Sequence, residues 1–173
     1  VESFRSKYAA RAEAKPLVGI SWHSANPMAQ ASKSMALADL APLLRNIDAT
    51  FVSLQYGNHE SELKAFAKNF GIHVVHDGTV DPLSDMDSFV AQVAAMDRVL
   101  TVSNTTAHVA GALGTPCWTM VPASYGRLWY WFLETASSPW YASMVLSRVR
   151  HGETWPDFAI RTLPRALSWL KSS

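Results

Sequence analysis

Short apolar runs alternate with stretches of helical period along most of the chain. Leu17-Val18-Gly19-Ile20-Ser21-Trp22 reads as a strand that enters a polar loop. Residues 36–46 carry Leu37, Leu40, Leu43 and Leu44 on one helical face. A second strand covers 50–56. A helix follows over 60–70, with Leu63, Phe66, Ala67 and Phe70 inward and Gly71 at its C-cap. A short strand is expected over 73–76 and a helix over 85–96, where Phe89, Val93 and Met96 have core spacing. The series continues with a strand at 98–102, a helix at 105–113 closed by Gly114 and Pro116, and a strand at 117–121. A Trp-rich segment predicts a short helix over 128–133. A sixth strand at 144–149 and a last helix at 154–171 complete the pattern. The first 15 residues read as a charged helix or linker ahead of a domain spanning 16–173.

Strand and helix repeated in this order require right-handed crossovers. The expected fold is α/β: a Rossmann-like, doubly wound parallel sheet of about six strands with helices on both faces. Such sheets bind ligands beyond the carboxyl ends of their strands, where the strand order reverses. The loops after Trp22, Tyr56, Asp77, Val102 and Val121 are therefore the places to look for a site.

Composition narrows the class. With 173 residues, 49% hydrophobic and 17% charged, the chain can bury one sizeable core. Fifteen Lys and Arg balance 14 Asp and Glu, so no broad field for nucleic acid or a membrane surface exists and any anion site is local. The single cysteine, Cys117, can form neither an internal disulfide nor a Cys-based zinc site, which fits a reducing, cytoplasmic setting. The apolar run 116–123 is far too short to span a bilayer. The chain starts at Val1 rather than Met, a hint of a piece cut from a longer protein.

The loop after the fourth strand, Ser103-Asn104-Thr105-Thr106-Ala107-His108, is the most informative segment. Asn104 is a strong N-cap residue. Behind it, backbone N–H groups and the Thr105 and Thr106 hydroxyls converge at a helix N-terminus, whose partial charge and orphan donors suit a phosphate. His108, one turn in, offers a further donor. The competing reading is an ordinary capped helix with a packed histidine. In the loop after the first strand, Ser21-Trp22-His23-Ser24-Ala25-Asn26-Pro27 leads on to Ser32-Lys33-Ser34. There small hydroxyl residues around one lysine form either a diphosphate clamp or a solvated loop. Gln55-Tyr56-Gly57 ends the second strand, as a base or ribose contact or as a plain turn. Asp85 and Asp87 open a helix, where capping is the first expectation and ribose binding by Asp85 the second. Tyr125, Trp129, Tyr130, Trp131, Trp140 and Tyr141 form an aromatic group, read first as packing and second as a stacking platform.

Several chemistries are missing from the sequence. It has no GxxxxGK[ST] loop, GxGxxG, GxSxG or HExxH. His73 and His76 lie three apart on a strand and face opposite sides, a poor chelate. Asp85-Met86-Asp87 has the spelling of a metal-binding DxD but opens a helix. No metal or cofactor is expected.

The segments VGISWHSANP (18–27), SKSMALADLAPLL (32–44), FVSLQYG (51–57), MDRVLTVSNTTAHVAGALGTPCW (96–118) and SSPWYASMVLSRV (137–149) together resemble the C-terminal, donor-binding half of heptosyltransferase-like glycosyltransferases. They are most similar to the versions found in bacterial proteins that carry tetratricopeptide repeats. The resemblance implies a GT-B architecture of two Rossmann-like domains, with a nucleotide-diphosphate sugar as substrate bound without metal. It implies that Thr105, Thr106 and His108 hold the phosphates, that Ser21 and Lys33 line the pocket, and that Gln55 and Tyr56 lie near the base. The resemblance implies that the acceptor domain and general base lie in the family's N-terminal half, so no catalytic residue is assigned here; the expected partner in the full-length chain is that N-terminal acceptor domain or tetratricopeptide repeats. Two other functions stay open. One is a nucleotide-sugar epimerase, which needs a carboxylate acid/base pair. The other is a non-catalytic scaffold beside helical repeats.

Overall fold

A computed structural model of the chain describes residues 1–10, 15–24, 30–123 and 128–171. Six parallel strands form one sheet: β1 (Leu17–Ser21), β2 (Thr50–Ser53), β3 (Val74–Val75), β4 (Arg98–Val102), β5 (Cys117–Val121) and β6 (Met144–Arg148). Their order is β3-β2-β1-β4-β5-β6. The chain builds outward from β1 to one edge, returns to the other side of β1, and builds outward again. The reversal lies between β1 and β4, where Ser21 pairs with Thr101 at the carboxyl ends. This is the expected doubly wound architecture.

The strands alternate faces, so two cores form. On one side Val18, Ile20, Leu100, Val102 and Trp118 pack beneath α3 (Ala41–Leu44), α4 (Glu60–Phe70) and α7 (Trp155–Lys171). On the other, Leu17, Val52, Val99 and Cys117 meet α1 (Glu2–Ala9), α5 (Met86–Ala94) and α6 (Thr105–Leu113). Burial of Cys117 pushes its thiol up to about 12, which removes it as a nucleophile.

Most elements follow the expected bounds, and Gly71 and Gly114 end α4 and α6 in the left-handed conformation (φ 69° and 72°) that glycine adopts without steric cost. The helix expected over 36–46 is instead a 3-10 turn, Leu37–Leu40, followed by α3. Pro42 has no N–H to continue the ladder and sits in the first turn of a new helix, where none is required. Leu37, Leu40, Leu43 and Leu44 are nevertheless all buried. The second strand stops at Ser53 rather than Tyr56: the Gln55 N–H turns back to Ser53 Oγ at 3.3 Å instead of a carbonyl of β1.

The first helix is docked on the domain. Arg5 pairs with Asp97, and its guanidinium also donates to the Ala95 carbonyl at 3.2 Å. Lys7 and the fully buried Tyr8 both donate to Asp77 Oδ2, at 2.6 and 3.0 Å, and Gln92 donates to the Tyr8 hydroxyl at 2.7 Å. Residues 11–14 of the predicted leading segment lie outside the described residues.

Candidate functional site

The site is assembled at the reversal point by two side-chain amides. Asn104 caps α6: its Oδ1 accepts from Thr106 N and from Thr101 Oγ1, both at 3.0 Å. Its Nδ2 donates to Ser21 Oγ at 2.8 Å and to the His23 carbonyl at 3.1 Å. One residue thus caps the helix and ties the end of β4 to the end of β1. Gln55, two residues past β2, does the matching work on the other flank. Its Oε1 accepts from Ser21 Oγ, Trp22 N and His23 N at 3.1, 3.1 and 2.9 Å. A carbonyl oxygen with three donors is fully used, so the Gln55 amide oxygen is a staple for the first loop.

That loop doubles back on itself. Ser24 N donates to Ser34 Oγ at 2.9 Å, and Met35 N to the Trp22 carbonyl at 3.0 Å. The return leg carries α2 (Gln30–Lys33). Lys33 is only 4% exposed, and among the described residues its ammonium has no hydrogen-bond or ion-pair partner. Burial holds its pKa below the usual lysine value. Ala25, Asn26 and Pro27 of the same loop lie outside the described residues.

His108 stands one turn into α6, and a helical side chain leans toward the helix N-terminus. Its Nδ1 is 3.1 Å from the Tyr141 hydroxyl and its Nε2 is 3.2 Å from the Tyr130 hydroxyl. The ring stacks on Trp131 at 5.1 Å and 18°. Burial, and then the positive charge of Lys33, lower its pKa. The tyrosines come from the 3-10 turn Trp129–Trp131 and the segment before β6. Trp131 is itself pinned by an indole N–H bond of 2.7 Å to Ser103 Oγ. Room for Tyr141 comes from Gly111 on α6, where an added Cβ would fall closer than 3.0 Å to three atoms of the ring.

The structure thus brings Ser21, Lys33, Gln55, Asn104, Thr106 and His108 to one edge of the sheet. Thr105, the first residue of α6, is exposed there, and Tyr56 is half-buried beside Gln55. Trp22 is buried in the core and spends its indole N–H on Glu62 at 3.0 Å. Asp85 joins none of these bonds. It caps α5, and both carboxylate oxygens accept from Ser88, at 3.0 and 2.6 Å. The aromatic group divides: Tyr130, Trp131 and Tyr141 enclose His108, while Trp129 and Trp140 are mostly exposed. Tyr125 lies outside the described residues. The tyrosine partners of His108 and the Gln55 staple are functions that local sequence patterns did not reveal.

The arrangement suits an anion. The α6 N-terminus carries a partial positive charge, although Asn104 already takes the N–H groups of Thr106 and Ala107, and the charge of the buried Lys33 reaches the same turn. A second concavity, of about 620 Å³, opens at the opposite, amino-terminal edge of the sheet. Of its lining charges Arg5 pairs with Asp97 and Lys15 with Asp48, while Arg98 lies over the Trp169 ring and Lys171 adds a further positive charge. Among the described residues no three His, Cys, Asp or Glu are placed to hold a metal ion, and no helix is long and apolar enough to cross a membrane.

No protein-family model matches the chain. In sequence it is similar to protein FlbA of Caulobacter vibrioides, 36% identical over 131 residues that make up 75% of this chain and 21% of FlbA. In structure it resembles a family 9 glycosyl transferase of Veillonella parvula, with TM-score 0.64 at 14% identity, over 100% of this chain and 53% of that one. It also resembles the ADP-heptose lipopolysaccharide heptosyltransferase II of E. coli, with TM-score 0.65 at 19% identity, over 98% and 52%. E. coli heptosyltransferase WaaC with ADP matches at TM-score 0.57 and 13% identity, over 91% and 45%. The chain therefore spans about a fifth of the length of FlbA and about half of each glycosyltransferase structure, and its Rossmann-like fold is the fold of that half.

Proposed function

We propose that this domain binds the donor of a glycosyltransferase, a nucleotide-diphosphate sugar, at the β1–β4 reversal. The observation that carries the reading is Lys33: a lysine only 4% exposed whose positive charge reaches His108 in the first turn of α6. Isolating such a charge is costly unless an anion completes it. A pyrophosphate supplies that charge, and the partial positive charge of the α6 N-terminus, Lys33 and the His108 cluster stabilise it as it becomes the leaving group. The fold shared with half of the heptosyltransferase structures supports the same assignment. On this reading acceptor binding and the general base belong to polypeptide outside this chain, attached upstream as a second domain or beside helical repeats. The assembly works in the cytoplasm, and no divalent metal is needed.

The test is a thermal-shift panel of ADP, GDP, UDP and CDP and their common sugars at millimolar concentration, with and without EDTA. A ligand present at about a hundred times its dissociation constant stabilises the fold by roughly 2.7 kcal/mol. At about 2–4 °C per kcal/mol for a domain this size, the melting temperature rises by at least about 5 °C. Silence across the panel refutes the assignment in favour of a scaffold. A response abolished by EDTA and restored by magnesium refutes its metal-free part.

A further inference from the structure

The hydrogen bonds around His108 leave a question open, because both ring nitrogens are already occupied. Tyr141 holds Nδ1 and Tyr130 holds Nε2. A neutral imidazole has one N–H and one lone pair. One phenol therefore donates to the ring while the other accepts from it. An imidazolium has two N–H groups and no lone pair, so both phenol oxygens then accept and both phenol hydrogens point away from the ring. Protonation of His108 thus releases one O–H donor that the neutral state uses internally.

We infer that Tyr130 and Tyr141 are positioning residues that couple anion capture to proton uptake: a pyrophosphate arriving beside Lys33 is bound together with a proton that settles on His108, and the phenol so released turns its O–H to the ligand. This rests on the donor-site reading above. Among the described residues the groups facing His108 are few. From α2 there is Lys33, from the 3-10 turn Tyr130 and the uncharged Trp131, and from the segment before β6 Tyr141. On its own helix Thr105 and Thr106 do not titrate, and no carboxylate is hydrogen-bonded to the ring among the described residues. Without ligand, burial and the Lys33 charge both favour the neutral ring. Two negative charges placed between Lys33 and His108 reverse the sign of the local field. The His108 pKa then rises, and at pH values between its free and bound pKa a proton is taken up. Affinity is greatest below the free pKa and declines as pH rises through the bound pKa. The stacked Trp131 and the pocket left by Gly111 keep the geometry fixed through the exchange.

Calorimetric titration with ADP-glucose, GDP-mannose and UDP-glucose tests this. Their pyrophosphate diesters have no group titrating near neutrality, so any proton taken up belongs to the protein. Heats are measured from pH 5.5 to 8 in paired buffers of different ionisation enthalpy. The expected result is uptake of a substantial fraction of a proton by the wild type, lost in His108→Gln. In Tyr130→Phe and Tyr141→Phe, affinity should fall about 3- to 10-fold and the pH at which it declines should move. A merely structural tyrosine would lower the melting temperature without moving that profile. Binding with no proton uptake at any pH, uptake undiminished in His108→Gln, or unmoved profiles in both tyrosine variants each overturn the coupling while leaving the donor site standing. Failure of all three nucleotide sugars to bind overturns the donor site itself.

Discussion

Gly111→Ala gives a sharp test of how His108 is held, because two opposing effects act at one atom. Inside α6, alanine is preferred over glycine by about 1 kcal/mol. Against that, the new Cβ falls closer than 3.0 Å to Cγ, Cδ1 and Cδ2 of Tyr141. The contact is with the root of the ring, so a rotation about the ring axis does not relieve it and the whole side chain must move. Overpacking of this kind costs about 1–3 kcal/mol, and displacing Tyr141 also loses its bond to His108 Nδ1. The net effect expected in the wild type is a destabilisation of about 1–2 kcal/mol, or roughly 2–8 °C in melting temperature. In a Tyr141→Ala background the clash is gone and only the helix preference remains. There the same substitution should stabilise by about 1 kcal/mol. The sign reversal corresponds to a coupling of about 2–3 kcal/mol, within the range for residues in contact. Urea unfolding of the four proteins measures it. If Gly111→Ala changes stability by the same amount in both backgrounds, Tyr141 does not occupy the space over Gly111 and the account of the His108 cage fails.

Two further predictions concern the scaffold. Gln55→Leu removes the acceptor shared by Ser21 Oγ, Trp22 N and His23 N. Leaving buried donors unsatisfied costs about 1–3 kcal/mol each before water compensates, so a loss of about 3 kcal/mol is expected in chemical unfolding, and a loss under about 1 kcal/mol would show that Gln55 is not the staple. Asp77 would be raised by burial alone, yet donors from Lys7, Thr79 and Tyr8 bring it down to about 2. Because its folded pKa lies below the unfolded value of about 3.9, its contribution is complete above about pH 5 and disappears as pH falls toward 2. It amounts to on the order of 2 kcal/mol, so Asp77→Asn should be less stable than wild type at pH 7 and lose less between pH 4 and 2.5; parallel curves would contradict this.

Much of the fold was legible because local signals agreed with one another. Asn104 and Gly114 bracket α6, Gly71 closes α4, and the β4 and β5 runs are short, apolar and bounded by polar turns, so their limits match the expectation residue for residue. Where signals conflicted, the weaker was harder to weigh. The leucine period over 36–46 spoke for one helix, and the single Pro42 that divides it spoke more quietly. The site was legible by address and less so by role. The helix N-terminus announces itself through Asn104, but the partners of His108 lie 22 and 33 residues away in a segment whose aromatic spacing does not tell the enclosed Trp131 from the exposed Trp129. Lys33 sits on a four-residue helix with no pattern of its own. Its burial follows from loop closure through Ser34 and Asn104, contacts that span 10 and 81 residues.

The docking of α1 has a consequence for how the molecule opens. Its fastenings to Asp77, Gln92, Ala95 and Asp97 join residues 69 to 92 positions apart. An eight-residue helix does not persist alone in water, so α1 takes shape only after α5 and the start of β4 are in place. Its departure uncovers Asp77 and Gln92 and takes the fully buried Tyr8 out of the core. The free energy of that local opening lies below that of global unfolding. Pulling on α1 therefore tests its bonds to Asp77, Gln92 and Asp97 together with the core packing of Tyr8.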